Sequence, residues 1–244
     1  LGRLGRELRA LIERHEDAED AAARVRAVRT RELTRCAMSD LLAGIDPRGH
    51  AIADAADTAL LGALEIAERE EAARWGSPRA RVAFIAMGRY GGRECSYASD
   101  ADVIAVHEAV GDATPADAAA SATAIVNRAK KLLGSATSQL GLAVDLGLRP
   151  EGKNGPMSRT VESHREYARR WGSTWERQAA VRARPIGDTP LARRAGQLFE
   201  EIAYGDVSHA DLRDIRLLKA RMENERLPRG IEPSRHVKLG PGGL

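Results

Sequence analysis

Two aspartates stand one residue apart at the start of a short apolar segment of this sequence. Asp100 and Asp102 flank an alanine, and the pattern predicts a β-strand on which both carboxylates point to the same face. Two carboxylates that close repel each other unless a cation lies between them. Such hard oxygen ligands suit Mg²⁺, which binds one or two carboxylates together with substrate phosphates. The pair therefore predicts a site for a metal-bound nucleoside triphosphate.

Three glycines precede the acid pair and predict a phosphate-binding segment. Gly88, Gly91 and Gly92 let the backbone approach a ligand closely, and exposed N–H groups there can hold phosphate oxygens. Ser99 can add a hydroxyl donor. The same glycines also fit an ordinary turn, and an Asp-x-Asp pair often only caps one. The segment is not a P-loop, because Gly-x-x-x-x-Gly-Lys-Ser/Thr does not occur in the sequence.

A third acid, Asp145, lies in an apolar segment, where an unpaired charge is costly to bury. If its strand lies beside that of Asp102, three carboxylates can surround two Mg²⁺ ions, as two-metal phosphoryl or nucleotidyl transfer requires. Arg149 and Lys153 follow this strand and can reach a phosphate. The structural alternative is that Asp145 pairs with Arg149.

Helices, a mixed core and further helices are predicted to position these residues. Residues 1–76 show helical periodicity, with breaks at Gly44 and Gly76. Residues 77–190 combine short apolar strands with helices, and residues 191–244 begin with a helical pattern. The predicted elements after residue 76 are strands over 82–87, 101–106 and 142–148, a helix capped by Thr114, and helices over 163–183 and 191–226.

The composition is that of a globular protein. The 244 residues carry 38 Lys and Arg against 35 Asp and Glu, a formal net charge of +3. With 43% hydrophobic and 30% charged residues, a disordered chain is excluded. The balanced charge and the 4% aromatic content argue against nucleic-acid binding. The apolar runs are far shorter than the about 20 residues of a membrane span, so we expect no membrane segment.

The cysteines and the chain ends bear on location and completeness. Cys36 and Cys95 do not form a disulfide framework, so we expect the reducing cytoplasm as the location. The sequence has neither an initiator Met nor a signal peptide, and it stops within a glycine-rich phrase. We therefore expect a fragment of a longer protein.

The order of these features resembles the DNA polymerase β-like nucleotidyltransferase superfamily and, more closely, the glutamine synthetase adenylyltransferases. That resemblance implies an α+β fold: a polymerase β-like core with a small mixed β-sheet, flanked by N-terminal helices and the start of a C-terminal helical bundle. The catalytic domain would be residues 77–190, between a helical segment over 1–76 and the start of a helical domain over 191–244. The resemblance rests on residues 31–36, 88–94, 99–102, 144–156, 175–184 and 238–243.

The resemblance also implies an activity. It is the Mg²⁺-dependent transfer of AMP from ATP to a tyrosine hydroxyl of glutamine synthetase, with release of pyrophosphate. Asp100, Asp102 and Asp145 would hold the metals, and the ATP phosphates would lie against residues 88–99. The signalling protein PII and glutamine would act as regulators.

This family carries two nucleotidyltransferase modules, one that adds AMP and one that removes it by phosphorolysis, which yields ADP. Tyr97, residues 107–108 and residues 178–184 are more similar to the C-terminal, adenylylating half, and we expect that half here. Two alternatives stay open: the deadenylylating module, and a non-catalytic module that binds nucleotide or PII.

Overall fold

The computed structural model describes residues 2–43, 49–134, 141–225, 230 and 232, which form an α+β fold. Its strands form one small mixed sheet, as predicted, and the arrangement is consistent with a polymerase β-like nucleotidyltransferase core. The helices are α1 (Gly2–Glu13), α2 (Ala18–Ala43), α3 (Gly49–Trp75), α4 (Gly88–Gly91), α5 (Pro115–Leu133), α6 (Val161–Trp171), α7 (Thr174–Ala180), α8 (Pro190–Tyr204) and α9 (His209–Glu225). The strands are β1 (Ala80–Ala86), β2 (Ala101–Ala109), β3 (Val144–Asp145), β4 (Ser158–Arg159) and β5 (Arg184–Pro185).

Strand β2 pairs on both of its edges. β1 runs antiparallel to it, from Ala80 opposite Ala109 to Ala86 opposite Val103. The other edge of β2 is met by two short parallel strands, β3 at its beginning and β4 farther along. β5 extends the sheet beyond β1 in antiparallel orientation. As a result, the end of β1, the beginning of β2 and the whole of β3 lie together.

The two faces of the sheet are buried in different cores. Val103 and Ala105 belong to the core shared with α1, α2, α3 and α5. Ile104 and Val106 point the other way and belong to the core shared with α6, α7 and α8. Asp102, two residues before Ile104, therefore lies on the face that α6–α8 cover.

Capping residues explain where several helices begin. The Thr114 hydroxyl accepts a backbone N–H three residues later, at 3.1 Å, and begins α5 as predicted. Thr160 and Thr189 cap α6 and α8 in the same way. Ser173 and Glu176 form a capping box at the beginning of α7.

Two segments, each predicted as a single helix, contain two helices in the structure, so both predictions are wrong. The segment 163–183 divides because Gly172 ends α6 and Ser173 caps α7. The segment 191–226 divides at Gly205, the C-cap of α8. Within the described ranges, no helix combines the length and the apolar character that a membrane crossing needs.

The third strand is also shorter than predicted. Of residues 142–148, only Val144–Asp145 pairs with β2 as a strand. The chain then turns at Gly147, whose N–H donates to the Asp145 carboxylate. Two features named in the sequence analysis lie outside the described residues: the break over 44–48 and the glycine-rich segment 238–243.

A close approach of backbones requires glycine at position 91. A Cβ added to Gly91 would lie 1.9 Å from the carbonyl oxygen of Arg182 and 2.7 Å from that of Ala86. Since backbone atoms cannot rotate away, we expect Gly91→Ala to lower the free energy of unfolding by about 3 kcal/mol. Gly134→Ala is the control, because its Cβ would stand 3.4 Å from the nearest atom. Urea unfolding compares the two variants, and equal losses would contradict the expectation.

Candidate metal centre

Three carboxylates converge at the beginning of β2. Asp100 precedes the strand, Asp102 lies in it, and Asp145 lies in β3, opposite Asp102 in parallel register. Each offers an oxygen atom, and these oxygens all lie within 4.8 Å of one another. Asp100 and Asp145 are exposed and Asp102 is half-buried, so the cluster opens to solvent. The structure thus brings together the three acids that the sequence singles out.

The donor chemistry of this cluster fits a divalent cation such as Mg²⁺. Carboxylate oxygens are the hard ligands that Mg²⁺ prefers, and three carboxylates this close repel one another without a cation. The backbone also orients the third acid, because the N–H of Gly147 donates to Asp145 Oδ1 at 2.7 Å. Residues 100, 102 and 145 would therefore hold the metal from two adjacent strands.

The glycine segment lies against the acids as a short helix, α4, and not as an open loop. Gly88 begins it at a φ of 54°, and a Cβ there would stand 3.3 Å from Asp102 Oδ2. The N–H groups of Gly91 and Gly92 donate to the carbonyls of Met87 and Gly88, at 2.8 and 3.0 Å. The backbone of Gly88 is therefore beside the acids, whereas the amides of the other two glycines would have to change partners to bind a phosphate.

The remaining predicted phosphate ligands have structural bonds of their own. Ser99 Oγ accepts the N–H of Ser96 at 2.9 Å, which stabilises the turn before the acid pair. The Arg149 guanidinium donates to three main-chain carbonyls within residues 146–155, at 2.8 to 3.3 Å. Within the described residues it therefore forms no ion pair with the aspartate of β3, contrary to the structural alternative. Lys153 is exposed, and the phosphate roles of both basic residues stay predictions.

A buried ion pair holds the glycine segment, and sequence reasoning missed it. Arg184 in β5 donates to both carboxylate oxygens of Asp57 in α3, at 2.7 and 2.9 Å. The same guanidinium reaches the carbonyl oxygens of Gly91, at 3.3 Å, and Tyr90, at 3.4 Å. Asp57 interrupts the apolar face of α3, and a charge at such a position signals a buried partner.

A buried histidine lies on the same side of the sheet as the acids. His164 in α6 is 4% exposed, and its ring packs against Phe199 with 4.9 Å between ring centroids. Its Nδ1 has no hydrogen-bond partner among the described residues. Burial, with a smaller contribution from Arg159, lowers the pKa of His164 from 6.5 to about 4. The imidazole is therefore neutral at pH 7. The six histidines of the sequence show no metal-ligand spacing that could have pointed to it.

The folded protein is expected to lose stability through His164 as the pH falls. Above pH 6.5 the residue is neutral in both states, but below it the unfolded chain binds a proton that the folded chain binds only near pH 4. The difference between these two pKa values lowers the free energy of unfolding by about 3 kcal/mol at a pH where His164 is protonated in both states. His164→Phe should remove this part of the pH dependence. Urea unfolding at pH 7 and pH 4.5 measures how much of the free energy of unfolding is lost between the two pH values. An equal loss in His164→Phe and in wild type would contradict the expectation.

A small mixed sheet that brings three acids together beside a glycine turn is the arrangement of polymerase β-like nucleotidyltransferases. Comparison with known families identifies one family within this class of nucleotidyltransferases. A family model described as glutamate-ammonia ligase adenylyltransferase matches residues 2–198, and the chain belongs to this family. The match includes helices α1–α3, strands β1–β5 and the three acids.

Curated relatives support the same assignment over almost the whole chain. Three of them bear the name bifunctional glutamine synthetase adenylyltransferase/adenylyl-removing enzyme. The relative from Cutibacterium acnes is 41% identical, that from Streptomyces coelicolor 40% and that from Mycobacterium marinum 41%, each over 99% of this chain. The aligned part is 24%, 26% and 25% of the respective relative. The chain therefore spans about a quarter of the length of these relatives.

Proposed function

We propose that this chain is an enzyme module that transfers AMP from ATP to a tyrosine hydroxyl of glutamine synthetase, with Mg²⁺ as cofactor and pyrophosphate as product. The observation that carries the proposal is the convergence of Asp100, Asp102 and Asp145 within 4.8 Å beside the glycine segment. The choice of protein substrate is supported by the names of the relatives, which specify glutamine synthetase and adenylyl transfer.

The three acids have two parts in the proposed reaction. Asp100 and Asp102 hold the metal, which when bound neutralises phosphate charge and polarises the α-phosphate. Asp145 completes the site and accepts the proton of the tyrosine hydroxyl. The hydroxyl oxygen forms a bond to the α-phosphorus, while the bond between this phosphorus and the bridging oxygen breaks and pyrophosphate leaves. Positioning and electrostatic stabilisation supply most of the rate enhancement.

The triphosphate is proposed to lie between the acids and the segment from Gly88 to Ser99. Gly88 supports this placement, because its backbone lies beside the acids: a Cβ there would stand 3.3 Å from Asp102 Oδ2. Gly91 keeps α4 close to the end of β1. The amide of Gly92, together with Arg149 and Lys153 after β3, is proposed to bind the phosphates.

The direction of the reaction is the part of the proposal that product analysis tests. The relatives are named for both adenylyl transfer and adenylyl removal. We expect α-labelled ATP, Mg²⁺ and unmodified glutamine synthetase to give labelled tyrosine and pyrophosphate. If this chain instead releases ADP from adenylylated glutamine synthetase in a phosphate-dependent way, it is the deadenylylating module. The absence of Mg²⁺-dependent turnover in both assays would favour a non-catalytic module that binds nucleotide or PII, although the converging acids favour catalysis.

Regulation, location and domain organisation complete the proposal. PII and glutamine are the proposed regulators. The cytoplasm is the proposed location, in keeping with Cys36 and Cys95, which are thiols and not a disulfide. The catalytic domain is proposed as residues 77–190, between the helical parts over 1–76 and 191–244.

A further inference from the structure

The loop over residues 146–157 joins β3 to β4 and begins directly after Asp145. Its backbone is held together from inside, because the Arg149 guanidinium donates to three carbonyls of the loop at 2.8 to 3.3 Å. The loop also orients the last acid of the cluster, since the N–H of Gly147 donates to Asp145 Oδ1 at 2.7 Å. The conformation of this loop therefore contributes to the direction in which the Asp145 carboxylate points.

The loop passes through an unfavourable backbone conformation at Glu151. Its φ is 63°, and that of the following residue, Gly152, is 58°. This left-handed region suits glycine, whereas a residue with a Cβ is strained there by contact with the backbone. Among the described residues, Arg93 is the only other non-glycine residue with a positive φ. Such a conformation persists where the surrounding structure holds it, so Glu151 requires an interaction that stabilises it.

An ion pair with β4 supplies that interaction. The Arg159 guanidinium donates to the Glu151 carboxylate at 2.7 Å, and within the described residues this is the only ion pair between the loop and another element. The Arg159 side chain is 18% exposed, and its guanidinium lies 5.3 Å from the ring centroid of Tyr167 in α6. The Tyr167 hydroxyl in turn donates to Glu176 of α7 at 3.0 Å. The pair thus connects the strained point of the loop to β4, α6 and α7.

We propose that Glu151 is a positioning residue for AMP transfer: its ion pair with Arg159 holds the loop in the conformation in which Gly147 orients Asp145. This inference rests on the proposed function, in which Asp145 completes the metal site and accepts the tyrosine proton. A misplaced acid slows the chemical step more than it weakens nucleotide binding. Loss of the pair should therefore lower kcat and leave the KM for ATP nearly unchanged.

Two substitutions separate the ion pair from the backbone strain. Glu151→Ala removes the carboxylate and keeps a Cβ at the left-handed position, whereas Glu151→Gly removes both the carboxylate and the strain. We expect each to lower kcat about tenfold, with a KM for ATP within about twofold of wild type. Since the Glu151 side chain is 53% exposed, neither variant should unfold under assay conditions. A wild-type kcat in Glu151→Gly would overturn the proposal, because the pair would then be dispensable.

A control variant and a double variant test the pair itself. Glu166→Ala is matched to Glu151→Ala, since Glu166 pairs with Arg170 at 2.8 Å and its side chain is 56% exposed. This control should keep the wild-type kcat. Arg159→Met removes the other partner, and combining it with Glu151→Gly should give an enzyme no slower than the slower single variant. Losses that multiply in the double variant would show that the two side chains act separately, against the proposal.

The amide resonance of Gly147 reports the loop without metal or nucleotide. Its ¹H–¹⁵N signal depends on the hydrogen bond to Asp145 Oδ1. In the metal-free chain, we expect Glu151→Ala to shift this signal and to speed the exchange of the amide hydrogen with solvent. Glu166→Ala should change neither quantity. An unchanged signal and exchange rate in Glu151→Ala would mean that the ion pair does not hold the loop, and the proposal would be wrong.

Two outcomes separate this inference from the proposed function. If the wild-type chain neither adds nor removes AMP but Glu151→Ala still changes the Gly147 signal, the proposed function fails and the hold of Glu151 on the loop stands. If the wild-type chain transfers AMP and requires Asp102, but both Glu151 variants match its kcat, only the positioning role fails.

Discussion

Asparagine in place of Asp102 is expected to reduce AMP transfer at least about a thousandfold while the fold stays intact. Asp102 lies opposite Asp145 across β2 and β3, and its loss leaves only exposed carboxylates to hold the cation. An amide oxygen is a much weaker ligand for Mg²⁺ than a carboxylate. Removing one group that stabilises transition-state charge costs roughly 10²–10³ in rate, and here metal binding is weakened as well. The shape of the side chain is unchanged, so packing should be preserved.

Initial rates with α-labelled ATP over a series of Mg²⁺ concentrations measure this loss. Asp112→Asn is the matched control, because Asp112 is an exposed acid in the turn after β2, outside the cluster. The control should retain wild-type activity, and both variants should unfold at the wild-type urea midpoint. Near-normal transfer by Asp102→Asn would exclude the acidic cluster as the catalytic site.

The largest expected effect on stability belongs to Arg184. Replacing it with methionine leaves the carboxylate of Asp57, whose side chain is 7% exposed, without its bidentate partner. Breaking a buried pair in this way costs about 3–5 kcal/mol, because one charge stays buried and uncompensated. The carbonyls of Tyr90 and Gly91 lose a donor at the same time, so α4 should also become less ordered.

Urea unfolding of Arg184→Met measures this effect. Arg193→Met is the control, since Arg193 pairs at the surface with Asp188, which is 84% exposed, and such a pair is worth about 0–1 kcal/mol. The double variant Arg184→Met with Asp57→Asn should recover part of the loss, because it removes the stranded charge. A loss below about 1 kcal/mol in Arg184→Met would show that the pair is not important for stability.

The acid cluster could be predicted from the sequence because its geometry is nearly local. Alternation along a strand places Asp100 and Asp102 on one face, and a lone acid in an apolar segment marks Asp145. The sequence could not establish that β3 pairs with β2 in parallel, which depends on packing over the intervening helix α5. It also could not reveal that Gly88 opens a helical turn, because the hydrogen bonds of that turn depend on how β1 ends.

The contacts that could not be predicted from the sequence join residues that are far apart in the chain. Asp57 and Arg184 are 127 residues apart, and no pattern in either segment indicates that these two side chains pair. His164 stands on a helix that packs against α8, and only that packing removes its ring from water. The divisions at Gly172 and Gly205 were missed for a simpler reason: helix-forming residues continue on both sides of each cap, so composition alone predicts one long helix.

The position of Arg184 in the chain has a consequence for biosynthesis. A ribosome adds Asp100, Asp102 and Asp145 first, and reaches Arg184 only 39 residues after the last of them. At about 5–20 residues per second, this is a delay of about 2–8 s. During this delay the three aspartates have been synthesised, but the arginine whose guanidinium binds the carbonyls of α4 has not. The nascent chain therefore contains every proposed metal ligand before it can arrange them beside a fixed glycine turn, and nucleotide-binding competence should arise only after β5 has emerged.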